Sequence, residues 1–225
     1  MLGTWINTGT VIAGSLIGLA VGDRLPERIR RSILTALGLV TLGIGVQMTL
    51  RGTRLFLIIG SLIAGGILGE WIGIERALER FAAWLQARVR IGASGRFVQG
   101  FVTASLLFCV GPMTVVGAIE DGVTGDASLL VTKSVMDGLA AMALSATTGI
   151  GVLFAAGTVL VVQGPLTLLG GALSSLTEPA VLDQFSAVGG LIILGLGIRL
   201  LGLKEIPIAN YLPALVIVAA GALWL

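Results

Sequence analysis

Histidine is absent from this chain of 225 residues, and cysteine occurs only once. The chain therefore lacks the commonest general base and the commonest ligand for transition metals, and a single thiol excludes an internal disulfide. We accordingly expect no enzyme activity, no metal site and no cofactor. Charged residues are also scarce, at 12% of the sequence, which is about half their share in soluble domains. Such a chain could not cover a water-facing surface.

Hydrophobic residues are abundant instead, at 56% of the chain, and the mean hydropathy is +1.04. The 34 glycines are the second signal, because membrane helices use small residues where their backbones pack closely. We predict an all-α polytopic membrane protein whose main partner is the lipid bilayer, with glycine-rich faces that would suit a homo-oligomer. The net charge of +2 without a basic block gives no site for nucleic acid.

Eight apolar segments reach or approach the roughly 17–25 residues that a membrane-spanning helix needs. They lie at 4–21, 32–50, 55–72, 97–119, 129–148, 151–173, 187–201 and 208–225. They divide the single membrane domain into a first group of three spans, a connector, a central region and a last group of three spans. The bounds of these parts are 4–72, 73–96, 97–148 and 151–225.

The connector has the pattern of an amphipathic helix that lies along the membrane surface. Apolar side chains recur on one face at helical spacing, and most of the charged side chains fall on the other face. The apolar set is Ile74, Leu78, Phe81, Leu85 and Val89, and the charged set is Glu75, Arg76, Glu79, Arg80, Arg88 and Arg90. We interpret the segment as a link between two spans, with a partner-binding or gating helix as the alternative.

Most of the 14 basic residues fall in three connections, at 22–31, 73–96 and 199–205. Cytoplasmic loops carry an excess of Lys and Arg, so this pattern predicts that both termini lie outside the cell. Arg199 lies near a helix end, and its charge there is explained if the side chain snorkels to the membrane interface.

The string GLVTLGIGV at 38–46 reappears as GLIILGLGI at 190–198. Each string lies in the middle span of a group of three, and two spans separate the groups, so matching helices would run in opposite directions. Inverted repeats with discontinuous helices are typical of secondary transporters, whose sites lie near the middle of the bilayer at the repeat interface. Convergence of two helices rich in glycine and leucine is the alternative.

Gly-Pro pairs interrupt two of the spans, at Gly111-Pro112 and at Gly164-Pro165. Proline removes a backbone donor and frees carbonyl groups within a span, and in lipid these groups need a hydroxyl, a water molecule or an ion as partner. Polar side chains close enough in sequence to serve are Thr114, Gln163 and Thr167. The two predicted breaks are either kinks satisfied by neighbouring groups or parts of a substrate or ion site.

Lys133 and Asp137 lie inside the fifth span, four residues apart and hence on one helix face. Ionisable residues inside a membrane are costly, so this pair is either a structural neutralisation or a proton-coupling element. Glu120 and Asp121 end the fourth span, with Asp126 close behind. These three carboxylates could concentrate cations at a vestibule or bind protons, or they could lie in a solvated loop.

Several strings together resemble those of one family. They are GTWINTGTVIAGSLIG at 3–18, LLFCVGPMTVVGAIEDG at 106–122, KSVMDG at 133–138 and GIGV at 149–152. The chain resembles the YdfK/YqgA-type family of prokaryotic integral membrane proteins over nearly its whole length. The resemblance implies a multi-pass protein of the prokaryotic cytoplasmic membrane, labelled a transporter without an established substrate. The chain departs from the family pattern at Ala155 and Pro165, so the second Gly-Pro pair is a feature of this chain.

The sequence thus favours a secondary transporter or channel-like carrier for a small solute or ion, with proton or cation coupling. The residues that would supply coupling or selectivity are Asp137, Lys133, Glu120 and Asp121, and those that would supply uncharged polar contacts are Asn7, Gln163, Thr114 and Thr167. A structural or assembly protein without a transport path is the first alternative, and a membrane-embedded enzyme is the second.

Overall fold

A computed structural model describes residues 1–22, 24–89 and 95–224, and these residues form helices and no strand. The helices are α1 (Leu2–Gly22), α2 (Glu27–Thr49), α3 (Leu55–Ile72), α4 (Ile74–Arg88), α5 (Gly95–Cys109), α6 (Pro112–Val123), α7 (Ser128–Thr148), α8 (Gly151–Leu168), α9 (Pro179–Leu200) and α10 (Leu212–Trp224). Short 3₁₀ helices cover Gly170–Thr177 and Ile208–Tyr211. Asp23 and Arg90, in two of the predicted basic connections, lie outside the described residues.

Six helices within the described ranges are long and apolar enough to cross a bilayer, namely α1, α2, α3, α7, α8 and α9. Helices α5 and α6, which are bent by 59° at their junction, count as a seventh candidate crossing when they are taken together as one broken span. The predicted eighth span is the shorter apolar segment Ile208–Trp224. Its 3₁₀ turn and α10 together extend about 28 Å, close to the ~30 Å hydrocarbon core. The prediction of an all-α polytopic membrane protein is confirmed.

Helix α3 illustrates why these segments are helical and where they end. In lipid every backbone group needs an internal partner, which an α-helix provides for an apolar run. At its C-terminal end Gly73 has a φ angle of 76°, a left-handed conformation that favours glycine. This single residue turns the chain from α3 into the amphipathic helix α4, which is present close to its predicted position.

Helices α1 and α7 lie side by side and run in the same direction, with glycines at the contact. Gly14 faces the backbone of Gly138, and Gly18 faces Met142 one turn further along. Small residues allow membrane helices to approach this closely. Both helices therefore begin on the same side of the membrane, which we call the N-terminal side.

Helices α2 and α9 cross with opposite directions, again through glycines. Gly38 faces Gly197, and Gly45 faces Gly190, so that a Cβ atom added at Gly45 would lie 2.9 Å from the carbonyl oxygen of Gly190. These four glycines belong to the two similar strings of the sequence. The inverted repeat itself stays a prediction.

The first predicted helix break is present at Gly111, where the backbone is extended between α5 and α6. Pro112 is the first residue of α6, the position at which its fixed φ angle and missing N–H suit a helix. The fourth span is therefore two helices rather than one.

The second predicted break, at Gly164-Pro165, is wrong. Helix α8 continues through both residues and ends at Leu168. Pro165 lies in the last turn, so only the carbonyl of Val161 loses its helical donor. The chain changes course after Leu168, where the 3₁₀ helix replaces the remainder of the predicted sixth span.

The different settings of the two prolines predict opposite effects of replacement by alanine. Pro165→Ala restores a donor inside a continuous helix and is expected to raise the free energy of unfolding by about 1–3 kcal/mol. Pro112→Ala loosens the start of α6 and is expected to lower it by about 0.5–1 kcal/mol. Thermal unfolding of both variants in one detergent checks this. Destabilisation by Pro165→Ala equal to that by Pro112→Ala would contradict the continuous α8.

Candidate functional site

The break between α5 and α6 leaves the last carbonyls of α5 without helical partners, and two side chains replace the partner of one of them. Pro112 has no N–H to donate to the carbonyl four residues earlier, that of Phe108. The Nζ atom of Lys133 lies 2.8 Å from this oxygen, and the hydroxyl of Thr114 donates to it at 2.9 Å. Thr114 therefore contacts a carbonyl freed by the break, as predicted, and the ammonium group of Lys133 on α7 contacts the same carbonyl.

Lys133 also forms an ion pair with Asp137, one turn further along α7. The two side chains are only 7% and 10% exposed. The amide nitrogen of Asn7, on α1, donates to the same carboxylate at 3.0 Å. We call Asn7, Lys133, Asp137 and the carbonyl of Phe108 the ion-pair site. Burial of both charges costs free energy of desolvation, which their mutual attraction and these hydrogen bonds offset.

A cavity of about 470 Å³ lies beside the ion-pair site, between α2, α7 and the break. Lys133 and Asp137 form part of its wall, together with Gly111 and Pro112. Most of the remaining lining is apolar and comes from α2 and α7. We call this space the lateral cavity, because Val40 on α2 and Leu139 on α7 line it and are 59% and 60% exposed at the protein surface.

A second group of buried polar residues lies between α1 and α8. The hydroxyls of Thr4 and Thr167 are 3.2 Å apart, and the hydroxyl of Thr167 donates to the carbonyl of Gln163 at 2.9 Å. Among the described residues, both amide atoms of Gln163 are buried without a hydrogen-bond partner, as is the amide oxygen of Asn7. Helices α1 and α8 are antiparallel, so Gln163 lies about one turn below Thr167, at the level of Asn7.

The acidic residues at the end of the fourth span do not form a solvated vestibule. Asp121 is buried on α6, where it accepts a hydrogen bond of 3.1 Å from the backbone N–H of Gly3 and pairs with the amino group of Met1 at 3.1 Å. It therefore holds the start of α1, whose first N–H groups have no helical acceptor. Glu120 is half-buried on the same helix and is not part of the ion-pair site.

Asp126 is the exposed member of the predicted acidic group. Hydrogen bonds from the hydroxyl and the backbone N–H of Ser128 hold the pKa of Asp126 below its ordinary value. A lowered pKa in the folded state means that the contribution to stability exists at neutral pH and is lost as the pH falls through that value. Asp126 thus orders the start of α7 at neutral pH.

The sequence did not reveal a buried ionic cluster on the opposite side of the membrane. Glu75 is buried and accepts a bond of 2.6 Å from Arg199 and one of 2.7 Å from the backbone N–H of Ala209. Arg199 also lies 3.0 Å from Glu205. The expectation that Arg199 snorkels is therefore wrong, and Glu75, a member of the charged set of α4, is buried, because the two residues pair with each other. They are 124 positions apart, and no local pattern brings them together.

A helical bundle with seven candidate crossings, one of them broken beside a buried ion pair, defines a polytopic α-helical membrane protein with a polar interior. The chain belongs to the family described as "Protein of unknown function (DUF554)", which it matches over residues 2–223. This agrees with the family resemblance of its motifs.

Two relatives extend the match to nearly the whole length of each protein. The chain is 34% identical to "Uncharacterized protein YqgA" of Escherichia coli (strain K12) over 221 residues, which are 96% of this chain and 94% of that protein. It is 29% identical to "Uncharacterized membrane protein YdfK" of Bacillus subtilis (strain 168) over 221 residues, with coverage of 96% and 93%. No solved structure matches the chain.

Proposed function

We propose that this protein is a secondary transporter or channel-like carrier that moves a small solute or ion across the membrane, coupled to protons or cations. The position of the Lys133–Asp137 pair supports this most strongly, because the pair is buried at a helix break and on the wall of a cavity of about 470 Å³. A pair that served only to neutralise itself would need neither the break nor the cavity. Ionisable residues inside membrane proteins commonly mark ion pathways and proton relays.

The shared partners in the ion-pair site would couple ion binding at Asp137 to the junction of α5 and α6. Lys133 binds both the carboxylate of Asp137 and the carbonyl of Phe108, and Asp137 has a second donor in Asn7. A proton or cation that neutralises Asp137 removes the charged partner of Lys133 and leaves the lysine on the carbonyl of Phe108. Ion binding at Asp137 thereby changes the forces on the junction of α5 and α6, which is the bent part of the span.

We also propose that α1–α3 and α8–α10 form an inverted repeat. The contacts Gly38–Gly197 and Gly45–Gly190 support this. Gly38 and Gly190 occupy the same position in the two similar strings, and so do Gly45 and Gly197. A two-fold axis between α2 and α9 would therefore exchange the two contacts. The basic connections favour an orientation with both termini outside, and the bacterial membrane protein among its relatives favours the prokaryotic inner membrane.

Flux through reconstituted protein tests the proposal. Purified protein is placed in liposomes that contain a pH-sensitive dye, and a gradient of Na⁺, K⁺ or protons is imposed. We expect dissipation faster than in protein-free liposomes, and we expect Asp137→Asn to reduce it to the protein-free rate because the amide cannot exchange a proton or hold a charge.

Asp126→Asn is the matched control, since it makes the same chemical change at an exposed carboxylate on the N-terminal side. It should leave the flux intact. Flux that Asp137→Asn does not change would remove Asp137 from the mechanism. Absence of flux under all three gradients would favour a structural or assembly protein instead.

A further inference from the structure

The lateral cavity is mostly polar at one end and mostly apolar along the rest of its length. Its polar residues on the α2 side are Thr41 and Gln47 on the helix and Arg51 just beyond its end, and those on α7 are Lys133 and Asp137. Towards the other end of α2 the lining is apolar apart from Thr41, and its apolar residues are Leu37, Val40, Ile44, Met136, Leu139, Ala140 and Ile193. A ligand that fills the cavity must therefore have one polar end and a hydrocarbon body.

The polar end carries a net positive charge. Lys133 and Asp137 neutralise each other, which leaves Arg51 as the uncompensated charge among the described residues that line the cavity. The start of α6 at Pro112 also borders this end, and the N-terminus of a helix bears a partial positive charge. The polar group of the ligand is therefore an anion. The single charge of Arg51 matches a singly charged carboxylate better than an alkyl phosphate, which carries nearly two negative charges, and a guanidinium can bind a carboxylate through two parallel hydrogen bonds.

The size and the opening of the cavity define the rest of the ligand. The lining on α2 runs from Met48 to Leu37, about 16 Å along the helix axis, and Arg51 lies just beyond the end of that helix. A hydrocarbon chain can therefore extend beside α2. The volume of about 470 Å³ suits one chain rather than two. Exposed apolar residues at Val40, Met136 and Leu139 border the cavity where it meets the hydrocarbon of the bilayer.

We propose that the lateral cavity binds a single-chain amphipathic carboxylate that enters from the bilayer, with its carboxylate at Arg51 and its chain between α2 and α7. The cavity is the one used by the proposed function, but the inference concerns its occupant and holds whether or not an ion crosses. Binding without flux would therefore overturn the proposed function alone, and flux without binding would overturn this inference alone.

Photolabelling of the full chain in lipid nanodiscs tests the inference. The probe is a long-chain carboxylate that bears a diazirine on its chain, and the labelled peptides are mapped. We expect labels on α2 and α7, with displacement by dodecanoate but not by dodecanol, which lacks the charge, or by butyrate, which lacks the chain. Displacement by dodecanol equal to that by dodecanoate would overturn the role of Arg51. Equal displacement by dodecyl phosphate would overturn the choice of a carboxylate.

Two pairs of tryptophan substitutions supply matched controls. Val40→Trp and Leu139→Trp narrow the cavity, whereas Leu39→Trp and Val135→Trp add the same bulk at neighbouring positions outside it; all four residues are 59–60% exposed. We expect the first pair to abolish labelling on α2 and α7 and the second pair to leave it unchanged. Equal labelling in all four variants would overturn the inference.

A separate variant tests the charge without filling the cavity. Arg51→Gln should weaken the displacement by dodecanoate about tenfold, whereas Arg31→Gln, at the exposed opposite end of α2, should not change it. The thermal unfolding temperature of each variant shows that it is folded. If Val40→Cys cross-links two copies in nanodiscs and the label is lost, a second copy occupies the cavity, and the proposed carboxylate is overturned.

Discussion

Replacing Asp137 with asparagine is expected to lower the free energy of unfolding by about 3–5 kcal/mol, the usual cost of removing one partner of a buried ion pair. The side chain of Lys133 is only 7% exposed, so its charge would stay in a medium of low dielectric constant. The carbonyl of Phe108 would be the main remaining partner. Unfolding by heat or by a denaturing detergent measures the loss.

The double variant Lys133→Met, Asp137→Leu is the control for this prediction. Apolar side chains of similar volume remove both charges together, and such replacements are often neutral or stabilising. We expect the double variant to recover most of the stability that Asp137→Asn loses. A double variant as unstable as the single one would show that the charges are not the cause of the loss.

Replacing Gly14 with alanine is expected to destabilise the protein by about 1–3 kcal/mol or more. An added Cβ atom would overlap the carbonyl oxygen of Gly138, which belongs to the backbone of α7 and cannot rotate away. Helix α1 would have to move away from α7, and the hydrogen bond between Asn7 and Asp137 would lengthen with it.

Gly9→Ala is the matched control, because Gly9 is on the same helix and an added Cβ atom there has no neighbour within 4 Å in the described part of the chain. We expect this variant to be as stable as the parent chain or more so, since alanine favours a helix over glycine by about 1 kcal/mol. Thermal unfolding of both variants measures the difference. Equal stability of Gly14→Ala and Gly9→Ala would contradict the close contact of α1 and α7.

Local patterns predict most of the helices and the central pair of the site. Apolar runs predict where the chain crosses the bilayer, because lipid admits few other backbone arrangements. The four-residue spacing of Lys133 and Asp137 places both on one helix face, and Pro112 predicts the break. Each of these inferences depends on residues close together in the chain.

Local patterns fail in two cases. They do not show how far a proline is from the end of its helix, and they do not show which residues of different helices are in contact. Pro112 and Pro165 carry the same local signal, but Pro165 is three residues from the end of α8 and Pro112 begins α6. The residue four positions before a proline has an unpaired carbonyl, so Phe108 could have been found from Pro112. Nothing local shows that Asn7 on α1 reaches Asp137, or that Glu75 reaches Arg199.

Ion flux of the double variant Lys133→Met, Asp137→Leu is the most direct test of the central claim, that the buried pair couples ion binding to the broken span. The variant removes the charges while retaining stability, so loss of activity cannot result from unfolding. We predict unfolding close to that of the parent chain and flux equal to that of protein-free liposomes. Parental flux in a stable double variant would contradict the claim and would make the pair a structural neutralisation.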